Sequence, residues 1–191
     1  LSGFFKFYVA FGKNELEDGW AGKDDELGIL VRESMALLPG NVLTVGFDWN
    51  RYGGHGRRIG PSAADYGTVH VDQAAPYLAV EQELHPKLIL STGVRTTFHS
   101  EFGDVTTPEV GLVYKALETT SFRLRVADGF RAPTVREMFL FPAPNPDLLP
   151  EEMTQYEVGV NHRLAKWATV DGVVYYPVSY THLRAHETGR N

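Results

Sequence analysis

The residues that could do chemistry in this chain are few and scattered. His182 and His186 stand four apart beside Glu187, a spacing that would set metal ligands on one helical face. Their surroundings, VSYTHLRAHETGRN from Val178 to Asn191, break abruptly from the pattern of everything before them. Residues 178–191 therefore read as a non-native tail outside the fold, and no metal site is assigned. Ser34, Ser62, Ser91 and Ser100, with the scattered His and Asp residues, form no nucleophile elbow or triad signature. YGGHGRRIG, from Tyr52 to Gly60, is glycine-rich but lacks the Lys-Ser/Thr of a phosphate-cradling loop. With no cysteine present, thiolate metal sites, catalytic thiols and disulfides are excluded. No catalytic residue, no cofactor and no enzyme activity is expected. Tyr52, His55, Arg57, Arg58 and the aromatic patch Phe139–Phe141 fall where loop tips are expected, and are the candidate ligand contacts. The paired arginines would attract an anionic chelate, or would simply be solvated in a glycine-rich loop.

The elements that must position these residues follow a period of two. Phe5, Phe7, Val9 and Phe11 share one face against Lys6, Tyr8 and Ala10. Leu27, Ile29 and Val31 lead a second run, and Leu43, Val45, Phe47 and Trp49 oppose Thr44, Gly46, Asp48 and Asn50 in a third. Further runs are expected over about 70–84, from Leu88 to His99, around Val110–Tyr114, over Phe122–Val126, from Gln155 to Asn161 and from Trp167 to Tyr176. This predicts an all-β antiparallel meander of about nine strands. The connections at Pro39–Gly40, His85–Lys87, Ala116–Thr119 and Ala165–Lys166 are short, whereas 13–25, 52–69, 100–105 and 131–152 are read as mostly long. The last of these is far longer than the usual connection of about 2–6 residues.

Composition narrows the class. Aromatics at 12% with 19 glycines favour strands and turns, and a net charge of −6 without a basic run argues against a nucleic-acid partner. No apolar run approaches the roughly 18 residues of a membrane helix, which leaves a membrane β-barrel open. LSGFFKFYVAF at the start has no basic flank or small-residue cleavage site, so it reads as a strand and not a signal peptide. One apolar face suits a soluble antiparallel sandwich as well as a barrel. Short turns on one side, long loops on the other and strands of about 10–13 residues favour a transmembrane barrel.

The linked motifs are more specific. Gly129-Phe130-Arg131-Ala132-Pro133-Thr134-Val135-Arg136-Glu137, then Asn145-Pro146-Asp147-Leu148-Leu149-Pro150-Glu151, then Gln155-Tyr156-Glu157-Val158-Gly159, resemble the barrel of TonB-dependent outer-membrane receptors. The usual form there is GFRAP-T-REL, NPDLKPE and a YE-G strand. Glu101-Phe102-Gly103, Thr107 to Tyr114 and Ala75 to Arg95 look like the same family. Met138 and Leu149 stand where Leu and Lys are commoner. Arg131, Ala132, Pro133, Glu137, Asn145, Pro146, Leu148, Pro150 and Glu151 are the matched motif positions.

The resemblance implies that residues 1–177 are part of a barrel of about 22 strands with a plugged lumen. It implies an outer-membrane receptor for a scarce nutrient (ferric siderophore, haem or cobalamin), energised by TonB through a plug domain. The segments look most like the siderophore and cobalamin branch. A passive channel, a barrel enzyme and a soluble sandwich remain the alternatives. Lipid, the TonB complex and a small metal chelate or cofactor ligand are the expected partners. Arg95, Glu109, Arg123, Arg125, Glu157 and Arg163 would face the lumen, and Trp49, Tyr114, Trp167, Tyr175 and Tyr176 would suit interfacial girdles. In the long loop, five prolines would stiffen the excursion. Arg131, Arg136, Glu137, Asp147, Glu151 and Glu152 would tie it internally.

Overall fold

The computed structural model describes residues 1–16, 19–61, 63–140 and 144–180. The described strands are β1 (Ser2–Glu15), β2 (Trp20–Met35), β3 (Asn41–Arg58), β4 (Ala64–His85), β5 (Leu88–His99), β6 (Gly103–Leu117), β7 (Thr120–Arg131), β8 (Glu151–Ala165) and β9 (Ala168–Tyr180). Among the described residues one short helix, α1 (Val135–Phe139), lies between β7 and β8. Each strand pairs antiparallel with its sequence neighbours in the order β1 to β9, leaving β1 and β9 as the edges of an open sheet. This is the meander that the alternation predicts.

Register carries the alternation across the whole sheet. Phe7 opposes Ile29, which opposes Trp49; further on, Val110 opposes Val126, which opposes Tyr156, which opposes Tyr176. The apolar rows are uncovered: Phe7 is 58% exposed, Leu124 51% and Val158 57%. A sandwich would bury this face against a second sheet. Among the described residues no second sheet covers this face, which leaves a large exposed apolar surface.

The opposite face holds a ladder of ion pairs. Arg95 donates to Asp48 at 2.6 Å across β4, passing over the Tyr77 ring. Arg125 donates to Glu109, and Arg123 donates to Glu157 at 3.0 Å and to both oxygens of Asp171 at 2.8 and 3.0 Å. Arg163 donates to the Glu118 carbonyl. All six residues expected on the lumen face therefore share this polar face. Gly159 makes the longest reach possible: a Cβ there would lie 2.6 Å from Arg123 Nε, so only glycine lets the guanidinium cross β8 to β9. That is a physical reason for the glycine of the YE-G segment. Tyr175, opposite Glu157, also lies on the polar face, so it cannot join Tyr176 in a girdle.

Three of the expected long connections are short, because the strands continue into them. β1 and β2 remain paired from Asn14↔Gly22 and Glu15↔Ala21 onward, which shrinks the 13–25 connection to residues 16–19. The 52–69 stretch, read as an irregular loop, continues β3 to Arg58 and resumes as β4 at Ala64. Gly53 and Gly54 permit this by close approach: a Cβ on Gly53 would lie 2.0 Å from the Val69 carbonyl oxygen, and one on Gly54 2.0 Å from that of Lys23. Residues 100–102 form a tight turn into Gly103 (φ 86°). β3 and β4 have 18 and 22 residues, about twice the roughly 9–11 that a membrane-crossing strand needs. Of the four connections expected to be long, 132–150 is the one that is. At the other end, β9 runs to Tyr180, past the expected boundary at 177, with Thr154 opposite Val178. His182, His186 and Glu187 lie outside the described residues.

Candidate functional site

The long connection is built around Arg131, the last residue of β7. Its guanidinium makes a two-pronged contact with Glu151 at 3.0 and 2.8 Å, and a third prong reaches Glu137 at 3.1 and 3.3 Å. The fork thus clasps the two ends of the loop to a point in its middle. Glu137 is fixed independently by a capping box. Thr134 Oγ1 accepts from the Glu137 N–H at 3.2 Å, while Glu137 Oε2 accepts from the Thr134 N–H at 2.7 Å. The Thr134 amide and then Arg131 hold the Glu137 carboxyl below its usual range. Arg131 does the same for Glu151 and is itself raised by Glu151 and Glu137.

The NPDL segment closes the other half. The Asn145 N–H donates to the Glu137 carbonyl at 3.0 Å, and Asn145 Oδ1 accepts from the Asp147 N–H at 3.1 Å. The Asn145 carbonyl accepts from the Leu148 N–H at 3.3 Å, with Pro146 fixing φ inside the turn. Pro133 and Pro150 are buried at the two ends, Ala132 and Leu148 half-buried. The matched motif positions therefore fold the loop. Of the expected internal ties, Arg131, Glu137 and Glu151 form them with charge, and Asp147 contributes its backbone N–H. Glu152 makes no ion pair among the described residues.

So clasped, the connection does not stand away from the barrel wall. It folds across the polar face until α1 packs on β4, and Met138 is completely buried. A helix of five residues has little stability alone, so this burial, worth about 1.5–3 kcal/mol for such a side chain, holds it in place. Beside it, His99 stacks on Phe102 at 3.8 Å and Phe102 meets Phe130 edge-on. The Glu101 N–H donates to His99 Nδ1, which leaves the proton on Nε2 to donate to the Tyr52 oxygen at 3.1 Å.

Between this strap and the projecting ends of β1–β3 lies a cavity of about 450 Å³. Tyr52 and His55 form part of its wall, as do Val135, Arg136 and Leu140 from the strap. His55 also meets Thr68 and Asp65 at 3.3 Å. Arg57 and Arg58 lie beyond the cavity, opposite Asp65 and Ala64. Phe139 sits half-buried on α1, outside the lining, and Phe141 lies outside the described residues. Of the six candidate contacts, Tyr52 turns its side chain toward the cavity, and His55 borders it from the opposite parity of β3. Trp20, Asp24 and Glu26 are lining residues that the sequence reading passed over as loop or strand polarity. They keep the phase of Gly22 and Gly28, a signal present in the sequence but masked by the charges around it.

Comparison with known proteins fits this architecture. A model of the TonB dependent receptor-like β-barrel matches residues 8–176. The vitamin B12 transporter BtuB of Vibrio vulnificus is 26% identical over 128 residues, 67% of this chain and 20% of the transporter. BtuB of Photobacterium profundum is 25% identical over 157 residues, 81% of this chain and 25% of its own length. The chain thus spans no more than about a quarter of these curated relatives. The siderophore receptor PirA of Pseudomonas aeruginosa superposes with a TM-score of 0.71 at 20% identity, covering 91% of this chain and 38% of the receptor, which supports the fold. With a family match over most of its length and a sheet that meets the same barrel wall, this chain belongs to the TonB-dependent receptor-like β-barrel family.

Proposed function

We propose that this chain is barrel wall from an outer-membrane receptor that imports a scarce nutrient of the siderophore, haem or cobalamin class, with energy relayed by TonB. The family match over residues 8–176 carries the reading. The two faces of the sheet give it physical sense. The exposed apolar rows are solvated by lipid, and the ladder of Arg95, Arg123 and Arg125 with their carboxylates faces a wet lumen, where its charge costs little. The projecting β3–β4 hairpin and the strap lie at the end away from the short turns, which we assign to the extracellular side. Tyr52 is proposed as a ligand contact because its side chain faces the cavity there, while His55 borders the cavity from the opposite parity of β3. Relatives named as vitamin B12 transporters and a neighbour named as a siderophore receptor support a transport role over an enzymatic one.

The test is uptake by cells carrying the full-length receptor, with and without TonB. Accumulation of labelled cobalamin or ferric siderophore that disappears without TonB supports the proposal. Passage that is equal in both strains would make the barrel a passive channel.

A further inference from the structure

His99, the last residue of β5, is buried on the polar face at 5% exposure. Unlike His55 and His70, it belongs to no ion pair among the described residues. Packing fixes its ring. Phe102 stacks on it with the planes 13° apart, Phe130 meets Phe102 at 72°, and the Tyr52 ring lies 6.5 Å away on the other strand pair. Phe130 precedes Arg131, so this aromatic group adjoins the clasp of the long connection.

Two hydrogen bonds then determine where the protons sit. Nδ1 accepts the Glu101 N–H at 3.2 Å and so carries no proton, and an imidazole must then carry one on its other nitrogen. Nε2 is therefore the donor in the 3.1 Å contact with the Tyr52 oxygen. A phenol that accepts at its oxygen still has its own proton to give. Among the described residues none takes it. Glu26 opposes Tyr52 but accepts through Oε1 from Tyr8 at 2.8 Å and Asn50 at 3.3 Å, and the Glu101 carboxylate accepts from Ser100 at 2.8 Å. The other tautomer would reverse the outcome: Tyr52 would spend its proton on Nε2 and offer the cavity an acceptor alone.

We propose that His99 is a positioning residue for ligand recognition. Its Nε2–H fixes Tyr52 as a hydrogen-bond donor, and the ligand taken at the cavity presents an oxygen or nitrogen acceptor to that hydroxyl. Amide carbonyl, hydroxamate and catecholate oxygens meet this requirement, whereas an edge made of N–H donors does not. The proposal deepens, and rests on, the reading of the protein as a ligand-importing receptor with Tyr52 at its cavity.

The experiment is a double-mutant cycle on the full-length receptor in detergent, with binding of cyanocobalamin and of ferric enterobactin read by tryptophan fluorescence. Both probes carry oxygen acceptors. For a probe that binds, Tyr52→Phe is expected to weaken binding about tenfold, and His99→Phe, which keeps a ring to stack on Phe102, about fivefold. Because His99 acts through Tyr52, His99→Phe should cost less than about twofold in the Tyr52→Phe background, and His99→Gln, which restores an N–H donor, should bind within about twofold of the parent. A merely structural role would give losses that multiply and no rescue. Should His99→Phe fail to assemble, Tyr52→Phe and His99→Gln carry the test. Four results would overturn the proposal: losses that multiply, His99→Gln as weak as Tyr52→Phe, Tyr52→Phe as tight as the parent, or binding of neither probe. TonB-dependent uptake by the parent receptor would then leave the receptor reading standing. Uptake of every probe without TonB would remove that reading instead.

Discussion

Met138→Ala tests how the strap is held. Met138 is fully buried although α1 has only five residues, so its side chain is the main apolar anchor of the connection. Truncation to Ala removes roughly three methylene-sized groups at about 0.8 kcal/mol each, and incomplete collapse of the space adds to that. A loss of about 2.5 kcal/mol is expected, within the usual range of about 2–5 kcal/mol for this change. The loss falls on detachment of the strap, because the strands keep their ladder pairing and α1 touches the sheet mainly at β4. Opening of residues 132–150 should become about seventyfold more frequent, and cleavage there by a broad-specificity protease should accelerate in proportion. The assay is limited proteolysis of the receptor in detergent, with thermal loss of β-sheet circular dichroism as the control. Cleavage within about threefold of the parent rate would show that the clasp alone holds the strap, and would refute the anchoring role of Met138.

Further expectations follow from the same geometry. Glu137 and Glu151 have lowered carboxyl pKa values, so the clasp stabilises the loop at all pH values above the ordinary carboxylate range and is lost as pH falls through the lowered values. Protease resistance of the loop should be flat from neutral pH to about 5 and should fall only below about 4; a fall between pH 7 and 6 would contradict the assignment. Leu124→Arg places a charge on the apolar face in register with Leu112 and Val158, and should cost about 2–4 kcal/mol in folding into bilayers. Glu157→Gln on the polar face should cost far less, and equal costs would mean that the faces are misassigned. Gly53→Ala forces a Cβ onto the Val69 carbonyl, so it should destabilise the projecting hairpin by about 1–3 kcal/mol, read as faster amide exchange around residues 50–56.

The sheet was legible where one face is apolar and the other polar, because only there does hydrophobicity alternate with the pleat. Phe122, Leu124 and Val126 against Arg123 and Arg125 announce β7 without ambiguity. Toward the far ends of β1–β3 both faces carry polar residues and glycine, and the alternation vanishes. That is why Lys13–Glu15, Trp20–Asp25 and the glycine-rich end of β3 read as loop although their ladders continue. The motif residues identified the family, and the arginine–carboxylate ties within the loop were expected from composition. The inward fold of the strap was not. The Thr134–Glu137 capping spacing could have revealed α1, but the burial of Met138 depends on β4, which lies far away in sequence. The cavity was hidden for the same reason. Asp24, Gly54 and Leu140 meet only through register and the path of the strap.

The account stands on the claim that one face of this sheet meets lipid and the other the water-filled lumen. Because the chain has no cysteine, single cysteines can be introduced along β7 and spin-labelled without background. Labels at 122, 124 and 126 should be accessible to oxygen dissolved in the bilayer, and labels at 123 and 125 to a water-soluble nickel chelate. Equal access of the nickel chelate to both sets, or the reverse alternation, would contradict it.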